Sequence, residues 1–189
     1  MRNTIVYLVG FPGTGKYTIA KAICALTDAR LVDNHLINNP VFSVIPTGGP
    51  SPLPQAVWGK TWAIRRVVLD VIRDISPPDF SFVFTNQLVE GDPVDARWFA
   101  EIVDLASQRH STFIPVRLIC EESELCRRVS TVDRKTRFKT TDPEKARNIA
   151  RTHEVLQVKH HNALTLDVTA LSASESAEAI LQHAGSALP

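Results

Sequence analysis

Near its start, the chain runs from a continuous apolar segment directly through a glycine-rich turn into a helical pattern. Residues 4–9 read TIVYLV, which is typical of a strand buried on both faces of a parallel sheet. The turn at residues 10–18 reads GFPGTGKYT, and apolar residues then recur at helical spacing over residues 19–26. In this order, glycines let backbone N–H groups turn onto a phosphate chain, and the helix N-terminus adds partial positive charge. The segment therefore predicts a phosphate-binding loop; the alternative is a plain glycine turn that joins a strand to a helix.

The length of 189 residues fits one domain that can bury a core without disulfide bonds. With 44% hydrophobic and 22% charged residues, the composition excludes a disordered chain. The net charge of +1 argues against a surface built for nucleic acid, and no apolar run approaches the roughly 18 residues of a spanning helix. The first apolar stretch is too short for a signal peptide. Three cysteines without Cys-x-x-Cys spacing fit a reduced chain, so we expect a cytoplasmic protein without nucleic-acid or membrane partners.

Apolar stretches rich in β-branched residues alternate with helical patterns along the rest of the chain. Besides the first strand, the pattern predicts strands at residues 31–33, 80–84, 113–119 and 164–166. This alternation predicts an α/β protein with a five-stranded parallel sheet and helices on both faces. The proline-rich stretch from Pro40 to Pro54 is expected to be irregular, either as a functional lid or as a plain surface insertion.

Several helix starts are readable from their capping residues. Helices are predicted to begin at Asp92-Pro93, at Asp142-Pro143, and at Ser172, whose spacing from Glu175 is that of a capping box. A longer helix is predicted over about residues 55–74. Its inward face is expected to comprise Val57, Ile64, Val68, Val71 and Ile72.

The glycine-rich turn supplies the candidate nucleotide contacts. Lys16 can reach the β- and γ-phosphates as a point charge, which also makes it a candidate catalytic residue. The residue after this lysine is normally Ser or Thr, whose hydroxyl holds Mg²⁺; here it is Tyr17, which is too long for that task from the same backbone position. The predicted nucleotide-binding residues are Gly10, Gly13, Thr14, Gly15, Lys16, Tyr17 and Thr18.

With these motifs, the chain resembles the small P-loop kinases of the nucleoside-monophosphate, shikimate, gluconate and chloramphenicol phosphotransferase group. The resemblance implies a three-layer P-loop NTPase fold with strand order 2-3-1-4-5 and a small lid. It implies one domain over residues 1–189, with an acceptor flap at about 36–75 and a basic lid at about 127–142. It also implies ATP and Mg²⁺ as cofactors. The Gly-Lys-x-Thr form resembles the adenylate kinase loop, in which the metal is carried by ATP and keeps mostly water ligands, with Thr18 as a further metal candidate.

The resemblance also implies an acceptor site at the strand ends. Asp33 would contact or deprotonate the acceptor hydroxyl; the alternative is a helix cap. Asn86 and Gln87 follow the third apolar run and suit hydrogen bonds to an acceptor, or ordinary turn chemistry. One of Arg65 and Arg66 is expected to face an anionic acceptor, with Arg66 as the candidate and a solvated surface charge as the alternative.

Positive charge is concentrated in residues 127–140, which hold six basic residues against one acid. The resemblance implies a lid that closes on the triphosphate, with Arg128, Arg134 and Arg137 as catalytic clamps. A solvated charge run is the alternative, and a nucleic-acid patch lacks interleaved aromatics beyond Phe138. Asp167 and Thr169 follow the last predicted strand, where related kinases hold the adenine.

The sequence therefore predicts an ATP-dependent phosphotransferase that acts on a small-molecule acceptor. A nucleotide-binding regulatory module with little catalysis is one alternative, and Tyr17 is the residue that favours it. An ATP-hydrolysing P-loop ATPase is the other. It would require an acid directly after the third apolar run, where the chain has Thr85, Asn86 and Gln87 instead.

Overall fold

The computed structural model describes residues 1–46, 53–130 and 141–187, which form five strands and seven helices. The strands are β1 (Thr4–Val9), β2 (Arg30–Asp33), β3 (Phe82–Asn86), β4 (Thr112–Ile119) and β5 (Leu164–Asp167). The helices are α1 (Lys16–Leu26), α2 (Asn34–Phe42), α3 (Gln55–Asp74), α4 (Pro93–Gln108), α5 (Glu122–Val129), α6 (Pro143–Thr152) and α7 (Ala173–Ser186).

The five strands form one parallel sheet in the order β2-β3-β1-β4-β5, which confirms the predicted class and strand order. The register pairs Val9 with Asn86 and Asp33 with Thr85. The carboxyl ends of β1, β2 and β3 therefore meet at one edge of the sheet. Ligand sites in open parallel sheets lie outside that edge.

The two faces of the sheet are covered by different helices, because side chains alternate along each strand. All six residues of β1 are buried. Ile5, Tyr7 and Val9 pack on one side in a core shared with α3 and α4, whereas Val6 and Leu8 pack on the other with α1 and α7. This arrangement explains the continuous apolar run of β1 and confirms helices on both faces.

The third strand begins two residues later than predicted and continues to Asn86. The Phe80 amide donates to the Pro77 carbonyl at 3.1 Å in a turn, and the Arg30 guanidinium carbon lies 3.2 Å from the centre of the Phe80 ring. Phe80 is thus held outside the strand, and Phe82 is the first residue to pair. Asn86 is consequently the last residue of the strand, at the carboxyl edge of the sheet.

The predicted helix starts are confirmed. The Asp92 side chain accepts from the Val94 and Asp95 amides, and Asp142 caps α6 in the same way. Ser172 and Glu175 form a reciprocal capping box at the start of α7. Within the described ranges, no helix has the length and apolar character needed to cross a membrane.

The proline-rich stretch and the predicted basic lid are each partly helical. α2 continues through Pro40 to Phe42, since the fixed φ of proline is compatible with a helix at the cost of one hydrogen bond. α5 extends to Val129, so Arg127 and Arg128, at the start of the predicted lid, lie in the last turn of this helix. Within the remainder of these segments, residues 47–52 and 131–140 lie outside the described residues.

Arg109 ties the end of α4 to the turn that follows α3. Its guanidinium is buried and donates to the carbonyls of Ile72, of Ser76 at 3.3 Å and of Pro77 at 2.8 Å. We expect Arg109→Met to lower the free energy of unfolding by about 2–3 kcal/mol, because these carbonyls lose their donor. Urea denaturation followed by circular dichroism measures the change.

The matched control is Arg73→Met, which removes an exposed arginine on α3 that pairs with Asp70 and Asp74. Exposed ion pairs contribute little, so the denaturation midpoint should stay close to that of the unsubstituted chain. An equal shift of the denaturation midpoint for both variants would show that the Arg109 hydrogen bonds contribute no more to stability than an exposed ion pair.

Candidate active site

The turn between β1 and α1 requires glycine at two positions. Gly13 and Gly15 have φ values of +96° and +82°, in the left-handed region that other residues rarely adopt. A Cβ atom on Gly13 would also lie 2.8 Å from the Leu125 carbonyl oxygen. Gly15 is the N-cap of α1 and has no side chain to cover the first amides of that helix. The loop therefore keeps the backbone shape that an anion-binding helix start needs.

Lys16 directs its ammonium group back over this loop. Its Nζ atom donates to the carbonyl of Gly10 at 2.6 Å, to that of Phe11 at 2.9 Å and to the Thr14 hydroxyl at 3.3 Å. The Thr14 hydroxyl in turn donates to the Phe11 carbonyl at 2.9 Å. A positive charge is thus held against the turn, at the start of a helix whose dipole has the same sign.

The two hydroxyl residues after Lys16 lie in different surroundings. Tyr17 is partly buried, and the Lys21 ammonium lies 5.9 Å from the centre of its ring, one turn further along α1. Thr18 is exposed and lines a cleft beside the loop. Of the two, Thr18 is the one that the described structure places next to a cavity.

This cleft has a volume of about 300 Å³ and lies between the start of α1, the end of α5 and the start of α7. It opens directly beside the glycine-rich turn. Its lining residues are Thr14, Gly15, Thr18, Ile19, Arg127, Arg128, Leu171, Ser172, Ala173 and Ser176. The cleft thus combines a helix start, two guanidinium groups and a small apolar surface.

Arg128 is bound to the walls of the cleft. Its Nε atom donates to Glu124 at 2.6 Å, and its terminal nitrogen donates to the carbonyls of Val168 at 2.9 Å and Thr169 at 3.1 Å. Hydrogen bonds from Arg127 and Arg128 lower the pKa of Glu124 to about 2. Arg128 therefore braces the segment between β5 and α7. The other predicted clamps, Arg134 and Arg137, lie outside the described residues.

Asp167 and Thr169 form part of the same bracing. The Asp167 carboxylate accepts from the Thr169 hydroxyl at 2.6 Å and from its amide at 2.9 Å, which lowers the pKa of Asp167. The Thr169 hydroxyl also accepts from the Glu121 amide at 2.9 Å. These contacts hold the residues that follow β5 against the start of α5, beside the cleft.

Asp33 lies at the end of β2 and is 4% exposed. One carboxylate oxygen caps α2 by accepting from the His35 amide at 3.2 Å, as the capping alternative predicted. The other oxygen accepts from the Thr85 hydroxyl at 2.5 Å. The carboxylate is therefore fixed at the carboxyl edge of the sheet.

Asn86 links the third strand to the loop and to α3. Its backbone carbonyl accepts from the Gly10 amide at 3.2 Å, and its side-chain oxygen accepts from Arg65 at 3.4 Å. Gln87 is exposed just beyond the strand. Glu90 and Asp92 come later and have structural roles: Glu90 accepts from the Gln157 amide, and Asp92 caps α4.

The two arginines of α3 lie in different surroundings, and Arg66 matches the surface-charge alternative. Arg66 is exposed, with its guanidinium carbon 5.0 Å from the centre of the Trp62 ring, in a groove between α3 and α4 that none of the loop residues lines. Arg65 is instead the arginine that contacts Asn86, and it is 1% exposed. The buried face of α3 comprises Val57, Thr61, Arg65, Leu69 and Ile72.

The expected inward face was correct at Val57 and Ile72, which are buried, but Ile64, Val68 and Val71 suggested a stripe rotated by part of a turn. In the structure Val71 is 43% exposed, and Ile64 and Val68 are only partly buried. The i, i+4 spacing of Val57, Thr61 and Arg65 was the signal in the sequence for the face that is buried. This signal was missed because threonine and arginine are usually exposed.

No protein-family model and no curated protein matches the chain. Similar solved structures include a gluconokinase from Sinorhizobium meliloti, at 15% identity with a TM-score of 0.60 over 97% of this chain and 93% of that one. A shikimate kinase from Acinetobacter baumannii in complex with shikimate has 19% identity and a TM-score of 0.58 over 97% and 93%. The tunicamycin resistance protein of Deinococcus radiodurans has 16% identity and a TM-score of 0.61 over 97% and 96%. At such identities the likeness shows the fold, which is that of small P-loop kinases.

Replacing Gly13 tests whether the loop shape is enforced. We expect Gly13→Ala to lower the free energy of unfolding by about 1–3 kcal/mol, because φ is positive and the new methyl group meets the Leu125 backbone. Gly59→Ala is the control: Gly59 lies inside α3, and no atom beyond the neighbouring residues of its own helix lies within 4 Å of the place its new methyl group would take, so alanine should be neutral or stabilising. Thermal denaturation compares the two, and a stable Gly13→Ala chain would contradict the geometry.

Proposed function

We propose that the chain is an ATP-dependent phosphotransferase that acts on a small-molecule acceptor. The observation that carries the proposal is the Lys16 ammonium, which is held over a glycine-shaped turn at the start of α1 beside a cleft of about 300 Å³. A polyphosphate can lie along the turn while the rest of a nucleotide occupies the cleft. Solved structures of the same fold include a gluconokinase and a shikimate kinase, which supports a small acceptor.

The residues around the cleft fit a nucleotide. The amides of the loop and the Lys16 ammonium would hold the phosphates, and the planar guanidinium groups of Arg127 and Arg128 suit stacking on a base. Thr18 lines the cleft, where its hydroxyl would face Mg²⁺ or the α-phosphate side. When bound, Mg-ATP supplies the phosphoryl group that is transferred.

Asp33 is proposed to orient the acceptor hydroxyl and to take its proton. The Thr85 hydroxyl and the His35 amide fix the position of the carboxylate, so little reorganisation would be needed as the hydroxyl oxygen becomes the nucleophile. Asn86 and Gln87 would contribute amide contacts to the same acceptor. Arg134 and Arg137 remain proposed clamps for the transferred group, whereas Arg128 is proposed to act on the nucleotide side, where it lines the cleft.

A hydrolysing ATPase is a weaker candidate on one observation. β3 ends in the amide Asn86, and the next two acids along the chain, Glu90 and Asp92, are engaged in structural hydrogen bonds. A P-loop hydrolase needs an acid at this position to help hold the metal and position water. An acceptor hydroxyl held by Asp33 fits the site better than a water does.

The kinetic test compares substitutions at the two proposed functional groups, using transfer from Mg-ATP to a panel of hydroxylated metabolites and antibiotics. We expect Asp33→Asn to lower kcat at least about 100-fold with little change in the KM for ATP, because Asn still caps α2 but cannot take a proton. Lys16→Met should impair both parameters, because the phosphates lose their cation.

Lys21→Met is the matched control, since Lys21 lies on the same helix one turn beyond Tyr17 and outside the cleft lining. It should retain the activity of the unsubstituted chain. ATP binding without transfer to any acceptor would favour the regulatory module. Fast hydrolysis without an acceptor that survives Asp33→Asn would favour the ATPase.

A further inference from the structure

We propose that the acceptor is an uncharged hydroxylated compound, and that Glu101 enforces this choice by neutralising the arginine at the acceptor end of the site. The inference rests on the proposed phosphotransferase function and names its substrate class. It depends on three described side chains, which are Arg65 on α3, Glu101 on α4 and Asp33 at the end of β2.

Each nitrogen of the Arg65 guanidinium has a protein neighbour within 3.4 Å. One terminal nitrogen donates to the Asn86 side-chain oxygen at 3.4 Å and the other to the Trp98 carbonyl at 3.2 Å. Its Nε atom lies 3.4 Å from a carboxylate oxygen of Glu101. The residue is 1% exposed, so it does not offer a free cationic face to a ligand.

Glu101 is the group that balances this charge. Tyr7 also lies against Arg65, but burial raises the pKa of Tyr7 to about 12, so the phenol stays neutral at physiological pH. Trp98 contributes its ring face, whose centre is 4.9 Å from the guanidinium carbon. The second carboxylate oxygen of Glu101 accepts from the Trp62 indole at 3.3 Å, which fixes the acid in place.

The proposed acceptor site lies at the carboxyl edge of the sheet, where side chains approach from both faces of the sheet. Thr85 and Asn86 are consecutive residues of β3, so their side chains leave opposite faces of the sheet. Asp33 binds Thr85 on one side, and Arg65 binds Asn86 on the other. This set contains two carboxylates, on Asp33 and Glu101, and a single guanidinium.

An anionic acceptor at this edge would meet the carboxylate of Asp33 and an arginine whose charge is already matched. It could recruit Arg65 only by displacing Glu101, which would leave a partly buried acid without its partner. An uncharged acceptor can instead donate a hydroxyl proton to Asp33 and exchange hydrogen bonds with the Asn86 amide. The arrangement therefore favours uncharged acceptors and disfavours acidic ones.

The experiment measures kcat/KM for pairs of acceptors that differ by one acidic group: glucose and glucuronate, methyl shikimate and shikimate, adenosine and AMP. Mg-ATP is held constant. For the unsubstituted chain we expect the uncharged member of any productive pair to be preferred by at least about tenfold. In Glu101→Gln the Arg65 charge is no longer matched, so the preference should shift toward the acidic member by at least about tenfold.

Asp104→Asn is the matched control, because Asp104 lies one turn along α4 and lines the same groove between α3 and α4 as Glu101, whereas the ion pair with Arg65 is formed by Glu101. It should leave the preference unchanged. Circular dichroism checks that Glu101→Gln folds. The comparison of acceptor pairs on the unsubstituted chain tests the inference even if this variant does not fold.

The outcomes separate this inference from the proposed function. Transfer that prefers the acidic members, or a preference that Glu101→Gln leaves unaltered in a folded chain, would overturn the inference while the phosphotransferase function stands. Absence of transfer to every member of every pair, with ATP bound, would overturn both.

Discussion

The ammonium of Lys16 closes on the carbonyl oxygens of the turn that precedes it, and the rest of the site is arranged around that contact. The turn can take this shape because Gly13 and Gly15 adopt positive φ values and because Gly13 leaves room for the α5 backbone. The turn starts from β1, the central and fully buried strand, so its position is fixed by the core. A charge, a helix start and a cleft thereby meet at one edge of the sheet.

The same edge connects the proposed nucleotide site to the proposed acceptor site. The backbone carbonyl of Asn86 accepts a hydrogen bond from the Gly10 amide, and its side-chain oxygen accepts one from Arg65. Asn86 therefore links the glycine-rich loop to α3. Asp33 is joined to the neighbouring residue of β3 through the Thr85 hydroxyl. These hydrogen bonds join residues that are distant in the chain and involve mostly buried groups, which favours a rigid platform beneath the proposed reacting groups.

Several elements could be predicted from the sequence because their signals are local. The apolar run of β1, the capping residues of α4, α6 and α7, and the glycine turn each depend on neighbouring residues in the chain. The burial of Arg65 could not be predicted, because it depends on Glu101 and Trp98 from another helix. In addition, the apolar residues at 64, 68 and 71 suggested a different inward face for α3. The start of β3 was misplaced for a similar reason, since Arg30 from β2 packs on Phe80. Arg128 has the charge of a lid residue, but α5 extends through it to Val129.

The central claim is that the turn at residues 10–18 binds the phosphates of a nucleotide. Isothermal titration calorimetry of the unsubstituted chain with ATP and Mg²⁺, repeated with adenosine as the phosphate-free ligand, tests it most directly. We expect one site per chain for ATP, with a dissociation constant between about 1 μM and 1 mM, and much weaker binding of adenosine. Equal affinity for both ligands, or no heat with ATP at millimolar concentration, would contradict it.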